Sequence, residues 1–165
     1  MLTLGLSLAG CALLFFCIWG VTVTLPDKRL AKNFPQDVQE ALKPRLDHLP
    51  MSPRRVVGWV ILLLFIVGYI ALFVIGGIDG VHRGYAYWQF LLRFLVIGLV
   101  IKAFDIIALD YFLLTKTHFF QHYFPETEGC SGWQDFGYNR SQQCRQIVLT
   151  IMGSAITAGI FYLMK

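Results

Sequence analysis

Charged residues are scarce in this sequence. Only 15% of its 165 residues are Asp, Glu, Lys or Arg, while 56% are hydrophobic. A typical soluble domain has about 25% charged residues. The composition therefore argues against a single water-soluble domain and favours a chain that lies in a membrane.

Familiar catalytic motifs are missing as well. The sequence has no GxSxG, no phosphate-binding glycine loop, no close CxxC pair and no DxxDG arrangement of the lipid-phosphotransferase type. Each of these motifs would indicate a particular reaction. Their absence does not exclude an enzyme. The sequence itself specifies neither a reaction nor a cofactor.

Three long runs contain no charged residue at all. They cover residues 2–25, 56–78 and 147–164. A helix rises 1.5 Å per residue and the hydrocarbon core of a bilayer is about 30 Å thick, so roughly 20 residues span it. The sequence therefore predicts a transmembrane helix in each run.

A fourth apolar segment, residues 88–114, differs because it contains Arg93, Lys102, Asp105 and Asp110. Its length corresponds to roughly 40 Å of helix, more than enough to cross the hydrocarbon core. We therefore expect an all-α, polytopic integral membrane protein. Its single membrane domain, residues 1–165, would be a bundle of four transmembrane helices.

The positive charges predict an orientation for these helices. Ten lysines and arginines lie in the two long loops, residues 26–55 and 115–146, and two lie elsewhere outside the predicted helices, at Arg83 and Lys165. Loops rich in Lys and Arg stay in the cytoplasm. We expect cytoplasmic loops and both termini outside, and we interpret the net charge of +4 as a topology signal rather than a sign of nucleic-acid binding.

The two loops differ in composition. The first is rich in proline, with a short helix predicted from Gln36 to Lys43 that would either lie on the membrane surface or belong to a solvated loop. The second alternates aromatic residues with glycines around Trp133 and Phe136. Such a loop would either cap the mouth of a cavity between the helices or insert its aromatic rings into the bilayer surface.

Charged residues within an apolar span indicate a candidate functional site. Each unpaired charge costs several kcal/mol there, so such residues are rare unless they serve a purpose. Lys102 and Asp105 are three residues apart, so they share a helix face and can neutralise one another. The pair would stabilise packing, or it would serve a proton relay, an ion pathway or a ligand headgroup. Asp110 would extend the same polar face toward the cytoplasm, whereas Arg93 would reach outward.

A second group of functional side chains follows the charged segment. His118 and His122 are four residues apart and would share a helical face if the helix continues to Pro125. Two imidazoles and Glu126 or Glu128 would hold a metal ion, although the glutamate of an HExxH motif is missing. Alternatively, the histidines act as acid or base beside a lipid phosphate that Lys116 attracts, or they lie in an interfacial helix.

Together these residues predict a polar site that opens to the cytoplasm and binds or modifies a lipid-like or amphipathic ligand. The catalytic candidates are His118, His122, Asp110 and Glu126, and the candidates for ligand binding are Lys102, Asp105 and Lys116. Two other functions fit the sequence. One is a component of proton- or ion-coupled transport, which would need an oligomer, and the other is an assembly subunit that pairs with a partner membrane subunit.

Overall fold

The computed structural model describes residues 1–24, 28–48 and 52–165, without the side chains of residues 28–30. It is 86% helical, and the described residues include no strand. The prediction of an all-α chain is confirmed. The predicted end of the first helix at Leu25, and Pro26 and Pro50 of the proline-rich loop, lie outside the described residues.

Four long helices form an antiparallel bundle. They are α1 (Leu2–Thr24), α3 (Pro53–His82), α4 (Tyr87–Phe104) with its continuation as a π-helix (Asp105–Lys116, the π segment), and α6 (Arg140–Leu163). Two shorter helices are α2 (Gln36–Asp47) and α5 (Phe119–Tyr123), and 3-10 turns cover Lys28–Asn33, Pro125–Thr127 and Ser131–Gln134. The carboxyl-terminal Lys165 donates through Nζ to the carbonyl oxygen of Gly84 at 2.7 Å. The end of α6 therefore lies beside the turn between α3 and α4.

Three of the long helices, α1, α3 and α6, are long and apolar enough to cross a membrane. Their outer faces carry large apolar side chains, of which Leu8 is 60% exposed, Leu64 61% and Ile156 62%. A soluble protein rarely leaves so much contiguous apolar surface in water. The bundle surface is thus suited to lipid, as the sequence predicts.

The centre of the bundle is built around α4. Phe90, Phe94 and Ile97 are completely buried there and pack against Phe161 of α6. Glycine allows this close packing, because a Cβ atom on Gly77 would lie 2.3 Å from the Phe161 ring. Helices that meet in lipid commonly use small residues in this way.

The helix predicted over residues 88–114 changes from α-helical to π-helical geometry at Asp105. From there to Lys116 the backbone forms a π-helix, and at its end the amide of Thr117 donates to the carbonyl oxygen of Phe112, five residues back, at 3.2 Å. Thr117 itself is extended, and its hydroxyl donates to the carbonyl oxygen of Leu113 at 2.6 Å. The segment thus ends two residues after the predicted Leu114, and the continuation to Pro125 that would place His118 and His122 on the same long helix does not occur.

Two other helix boundaries differ from the prediction. Helix α6 begins at Arg140, seven residues before the predicted start at Ile147, and its first two turns are polar. Helix α2 continues through Pro44 to Asp47 instead of ending at Lys43. The extension of α6 shortens the second loop and moves its last polar side chains into the bundle.

The described parts of the two long loops, residues 28–48 and 117–139, pack together into a compact unit that we call the cap. Val38 and Leu42 of α2 are completely buried in it against Phe124 and Trp133 of the second loop. The apolar face of α2 is thus covered by protein, neither by lipid nor by solvent. Trp133 of the aromatic loop is 1% exposed and packs inside the cap, so it does not insert into a bilayer surface. Phe136 of the same loop is exposed.

Asp37 joins the two halves of the cap. Its Oδ2 atom accepts a hydrogen bond from the amide of Gly132 at 2.8 Å, and its Oδ1 atom accepts one from the amide of Val38 at 2.9 Å. A Cβ atom on Gly132 would lie 2.1 Å from Oδ1 of Asp37 and 2.5 Å from Cβ of Pro35. The glycine is required at this position because the two loops approach too closely for any side chain.

We predict that Gly132→Ala loosens the cap and lowers the free energy of unfolding by about 1–3 kcal/mol, the usual cost of inserting a methyl group into a packed contact. Protease cleavage within residues 117–139 in detergent measures this effect. Gly137→Ala is the matched control, since a Cβ atom there would lie 3.5 Å from Oδ1 of Asp135, an ordinary contact. Equal protease resistance of both variants would contradict the prediction.

Candidate functional site

Six polar side chains meet where α4 and the π segment face α6, and we call them the polar cluster: Lys102, Asp105, Asp110, Asn139, Gln143 and Gln146. Lys102 donates through Nζ to Oδ2 of Asp105 at 2.6 Å and also to Oε1 of Gln146. The Lys102 side chain is 10% exposed and that of Asp105 24%. The predicted pairing of Lys102 with Asp105 is therefore present, and Gln146 adds a third partner.

Asp110 is held by amides rather than by a cation. Its Oδ2 atom accepts hydrogen bonds from Nδ2 of Asn139 at 3.0 Å and from Nε2 of Gln143. No described residue donates to its Oδ1 atom. The Oε1 atom of Gln143 is buried and has no hydrogen-bond partner. The cluster thus holds a carboxylate oxygen and an amide oxygen that are both free to accept a hydrogen bond.

The helix geometry explains why these side chains meet. Asn139, Gln143 and Gln146 follow one another at intervals of four and three residues, which places them on one face at the start of α6. Asp105 and Asp110 are five residues apart. In a π-helix the backbone hydrogen bond joins residues five apart, so these carboxylates lie one above the other on the side that faces α6.

An apolar groove of about 760 Å³ runs between α3 and α6 toward this cluster. Phe65, Tyr69 and Phe73 line it from α3, and Leu149 and Thr157 line it from α6. Its rim carries Ile70, 58% exposed, so the groove opens sideways on the apolar surface of the bundle. Lys102, Asp105 and Gln146 form its polar end.

A second, more enclosed space of about 300 Å³ lies between the bundle and the cap, and we call it the cavity. Asp105 and Gln146 line both the groove and the cavity, whereas Lys102 lines only the groove and Asp110 only the cavity. Lys102, which donates to both Asp105 and Gln146, therefore holds together the side chains that separate the two spaces.

Tyr138 of the cap forms part of the cavity wall, and its hydroxyl donates to the carbonyl oxygen of Asn33. Burial raises the pKa of the Tyr138 phenol above its ordinary value, and the negative charges of Asp110 and Asp105 raise it further. The phenol thus stays neutral and acts as a hydrogen-bond donor that fixes the cap over the cavity.

The other predicted site residues lie outside the polar cluster. His118 and His122 are both exposed at the two ends of a single helical turn. Lys116 lies over the ring of Tyr111, with Nζ 5.3 Å from the ring centroid, and Glu126 forms an ion pair with Arg45 at 3.0 Å. Among the described residues, no three His, Cys, Asp or Glu side chains lie close enough to share a metal ion.

Arg93 has its own partners at the opposite end of the bundle. It is 7% exposed, and its Nη1 atom donates to Oδ2 of Asp79 at 2.8 Å and to the carbonyl oxygen of Gly76 at 2.7 Å. Its Nη2 atom donates to the hydroxyl of Tyr85 at 2.6 Å. Arg93 therefore does not reach outward alone but joins α4 to α3 through Asp79.

The sequence carries signals for the partners of these charges, although the apolar runs alone do not predict them. The regular spacing of Asn139, Gln143 and Gln146 is typical of one face of a helix, but these residues lie before the apolar run that set the predicted helix start. Asp79 follows directly after the second apolar run. The charges within the bundle therefore find partners among the polar residues that flank the apolar runs: Asp79 pairs with Arg93, and Gln146 with Lys102.

We predict that Lys102→Met lowers the free energy of unfolding by up to about 3 kcal/mol, because it leaves the partly buried Asp105 without its cation. The double variant Lys102→Met, Asp105→Asn should recover most of this loss, since no uncompensated charge remains. Thermal unfolding in mild detergent compares the single and double variants. A double variant less stable than Lys102→Met alone would contradict the pairing.

No family model, no curated protein and no solved structure matches this chain. The roles of the polar cluster, the groove and the cavity are therefore inferred from their own geometry and chemistry.

Proposed function

We propose that this chain is a multi-pass membrane protein that binds a lipid-like, amphipathic ligand in the groove between α3 and α6. The observation that carries the proposal is a sideways-open apolar groove that ends at the Lys102, Asp105 and Gln146 side chains. A ligand with an apolar tail and a polar group would match both parts of this surface.

In this proposal α4 and the π segment form a fourth transmembrane helix beside α1, α3 and α6. The cap faces the cytoplasm and both termini lie outside, because the two loops that build the cap hold ten of the chain's lysines and arginines. The neutralisation of Lys102 by Asp105 and of Arg93 by Asp79 supports burial of α4 among apolar helices.

The apolar part of the groove suits a hydrocarbon chain. Its walls are aromatic and aliphatic, and its volume of about 760 Å³ lies within the range of typical ligand sites. Because the rim lies on the lipid-facing surface of α3, a ligand would enter from the bilayer without crossing water. This route favours a membrane-dissolved amphiphile over a soluble metabolite.

The polar end of the groove would bind the headgroup. Lys102 and Asp105 offer a cation and a carboxylate, and Gln146 offers an amide, all within one hydrogen-bonded set. Hydrogen bonds to charged groups are strong where water is excluded. His118, His122, Lys116 and Glu126 are not assigned a role in this site, since they lie on the outside of the cap or its junction with the bundle.

We predict that Gly153→Trp blocks the groove and lowers the affinity for a long-chain amphiphile at least about tenfold, a loss of about 1.4 kcal/mol. Gly153 lines the groove, and no atom lies within 4 Å of a Cβ placed there, so the indole ring would occupy the ligand space without a backbone clash. Binding of radiolabelled dodecanol to the purified protein in detergent measures the effect.

Gly159→Trp is the matched control for this experiment. Gly159 lies on the same helix, has equally open surroundings and does not line the groove. Its variant should bind dodecanol as the unmodified protein does. Equal binding by both variants, or no binding by the unmodified protein, would overturn the proposal.

The orientation yields a separate prediction. A membrane-impermeant maleimide should label the exposed Cys144, in the second turn of α6, only after intact cells are broken open, in a Cys130→Ser background that removes the thiol of the cap. A His82→Cys substitution, placed at the opposite end of the bundle, should be labelled in intact cells when Cys144 is replaced by serine. The reverse pattern would contradict the proposed orientation.

A further inference from the structure

The cavity beneath the cap is lined by two carboxylates and by no cationic side chain of a described residue. Asp105, Asp110, Gln143 and Gln146 line it, while none of its described lining residues is a lysine, arginine or histidine. Lys102, which faces the groove, neutralises one carboxylate, so the polar cluster keeps one negative charge without a cation.

The two free acceptors belong to Asp110 and Gln143, which are hydrogen-bonded to each other on the cavity wall. Oδ2 of Asp110 takes both amide donors, from Asn139 and Gln143, which leaves Oδ1 without a donor among the described residues. The buried Oε1 atom of Gln143 also lacks a partner. A buried acceptor without a donor costs about 1–3 kcal/mol, so the Gln143 oxygen favours a donor that the described residues do not supply, and Oδ1 of Asp110 on the same wall can accept from it as well.

We propose that the cavity binds the primary ammonium group of the amphipathic ligand, with Asp110 as its counter-charge. This inference rests on the proposed function, since it names the headgroup of the ligand whose tail occupies the groove. A primary ammonium carries one positive charge and three N–H donors, which complements one uncompensated carboxylate and the nearby free oxygens. An anionic headgroup would instead face two carboxylates.

The size and position of the cavity agree with this headgroup. Its volume of about 300 Å³ corresponds to roughly ten water molecules, enough for an ammonium group with some water. Because Asp105 and Gln146 line both spaces, a ligand whose tail lies in the groove reaches the cavity by passing these two side chains. The Lys102 bonds to Asp105 and Gln146 would open as it passes.

Four ligands with the same alkyl chain test the proposal: dodecylamine, dodecyltrimethylammonium, dodecanol and dodecyl sulfate. We expect the purified protein at pH 8 to bind dodecylamine at least about tenfold more tightly than the other three. The trimethylated amine carries the same charge but no N–H donor, so it separates hydrogen bonding from simple charge attraction. Equilibrium binding of each radiolabelled ligand, in a non-ionic detergent below its own micelle concentration, gives the four affinities.

Asp110→Asn should remove the preference for dodecylamine over dodecanol, so that the ratio of the two affinities falls from at least about tenfold to about one. Asp47→Asn, on the exposed surface of α2, is the control and should change neither affinity. If Asp110→Asn does not fold, the ranking of the four ligands on the unmodified protein decides alone.

The outcomes separate this inference from the proposed function. Equal affinity for all four ligands, or a preference for the sulfate or the trimethylated amine, would overturn the ammonium site and leave the groove standing. Failure of all four to bind would overturn both. If ethylamine, which has no tail, binds as tightly as dodecylamine, the cavity is supported and the groove is contradicted.

Discussion

A charge among apolar helices must be neutralised or hydrogen-bonded, and the bundle depends on this constraint. Lys102 and Arg93 both lie on α4, are both nearly buried, and both contact a carboxylate, Asp105 and Asp79 respectively. Arg93 joins α4 to α3, while Lys102 joins it to α6 through Gln146. The same contacts that lower the cost of the charges therefore fix the neighbours of the central helix.

The π segment determines which carboxylates meet α6. In an α-helix, residues five apart point about 140° away from each other around the axis, so Asp105 and Asp110 would lie at opposite edges of the broad polar face that the sequence predicts. The wider hydrogen-bond spacing of the π segment brings them together and allows Asn139 and Gln143 to bind Asp110. Such segments occur frequently at functional sites. Here the segment creates a polar wall below the cap.

Much of this architecture was predictable from hydrophobicity and charge spacing, because these signals are local. The charge-free runs predicted the apolar lengths of α1, α3 and α6, and the separation of Lys102 and Asp105 predicted their pairing. The change to a π-helix at Asp105 was not predictable, since it depends on tertiary contacts. The polar start of α6 was not predictable for the same reason, since Asn139 and Gln143 find their hydrogen-bond acceptor, Asp110, on another helix.

The cap illustrates the same limit. Val38 and Leu42 indicated an amphipathic helix, but their spacing did not reveal whether lipid, water or protein covers them. Their partners, Phe124 and Trp133, lie about 80 residues or more further along the chain, and only the antiparallel bundle brings the two loops to the same end. The hydrogen bond from the Gly132 amide to Asp37 depends on this arrangement as well.

The division between groove and cavity has a consequence for selectivity. A ligand already dissolved in the bilayer gains little free energy when its tail moves into an apolar groove, because lipid chains are as apolar as the groove walls. Discrimination between amphiphiles must then come from the polar end, where the low dielectric strengthens charge interactions. In the proposed site, the groove sets the route from the membrane. The headgroup that is retained is set by Asp110 and Gln143, which lie beyond the side chains at the polar end of the groove. Selectivity therefore depends on the π segment, which alone places Asp110 against α6.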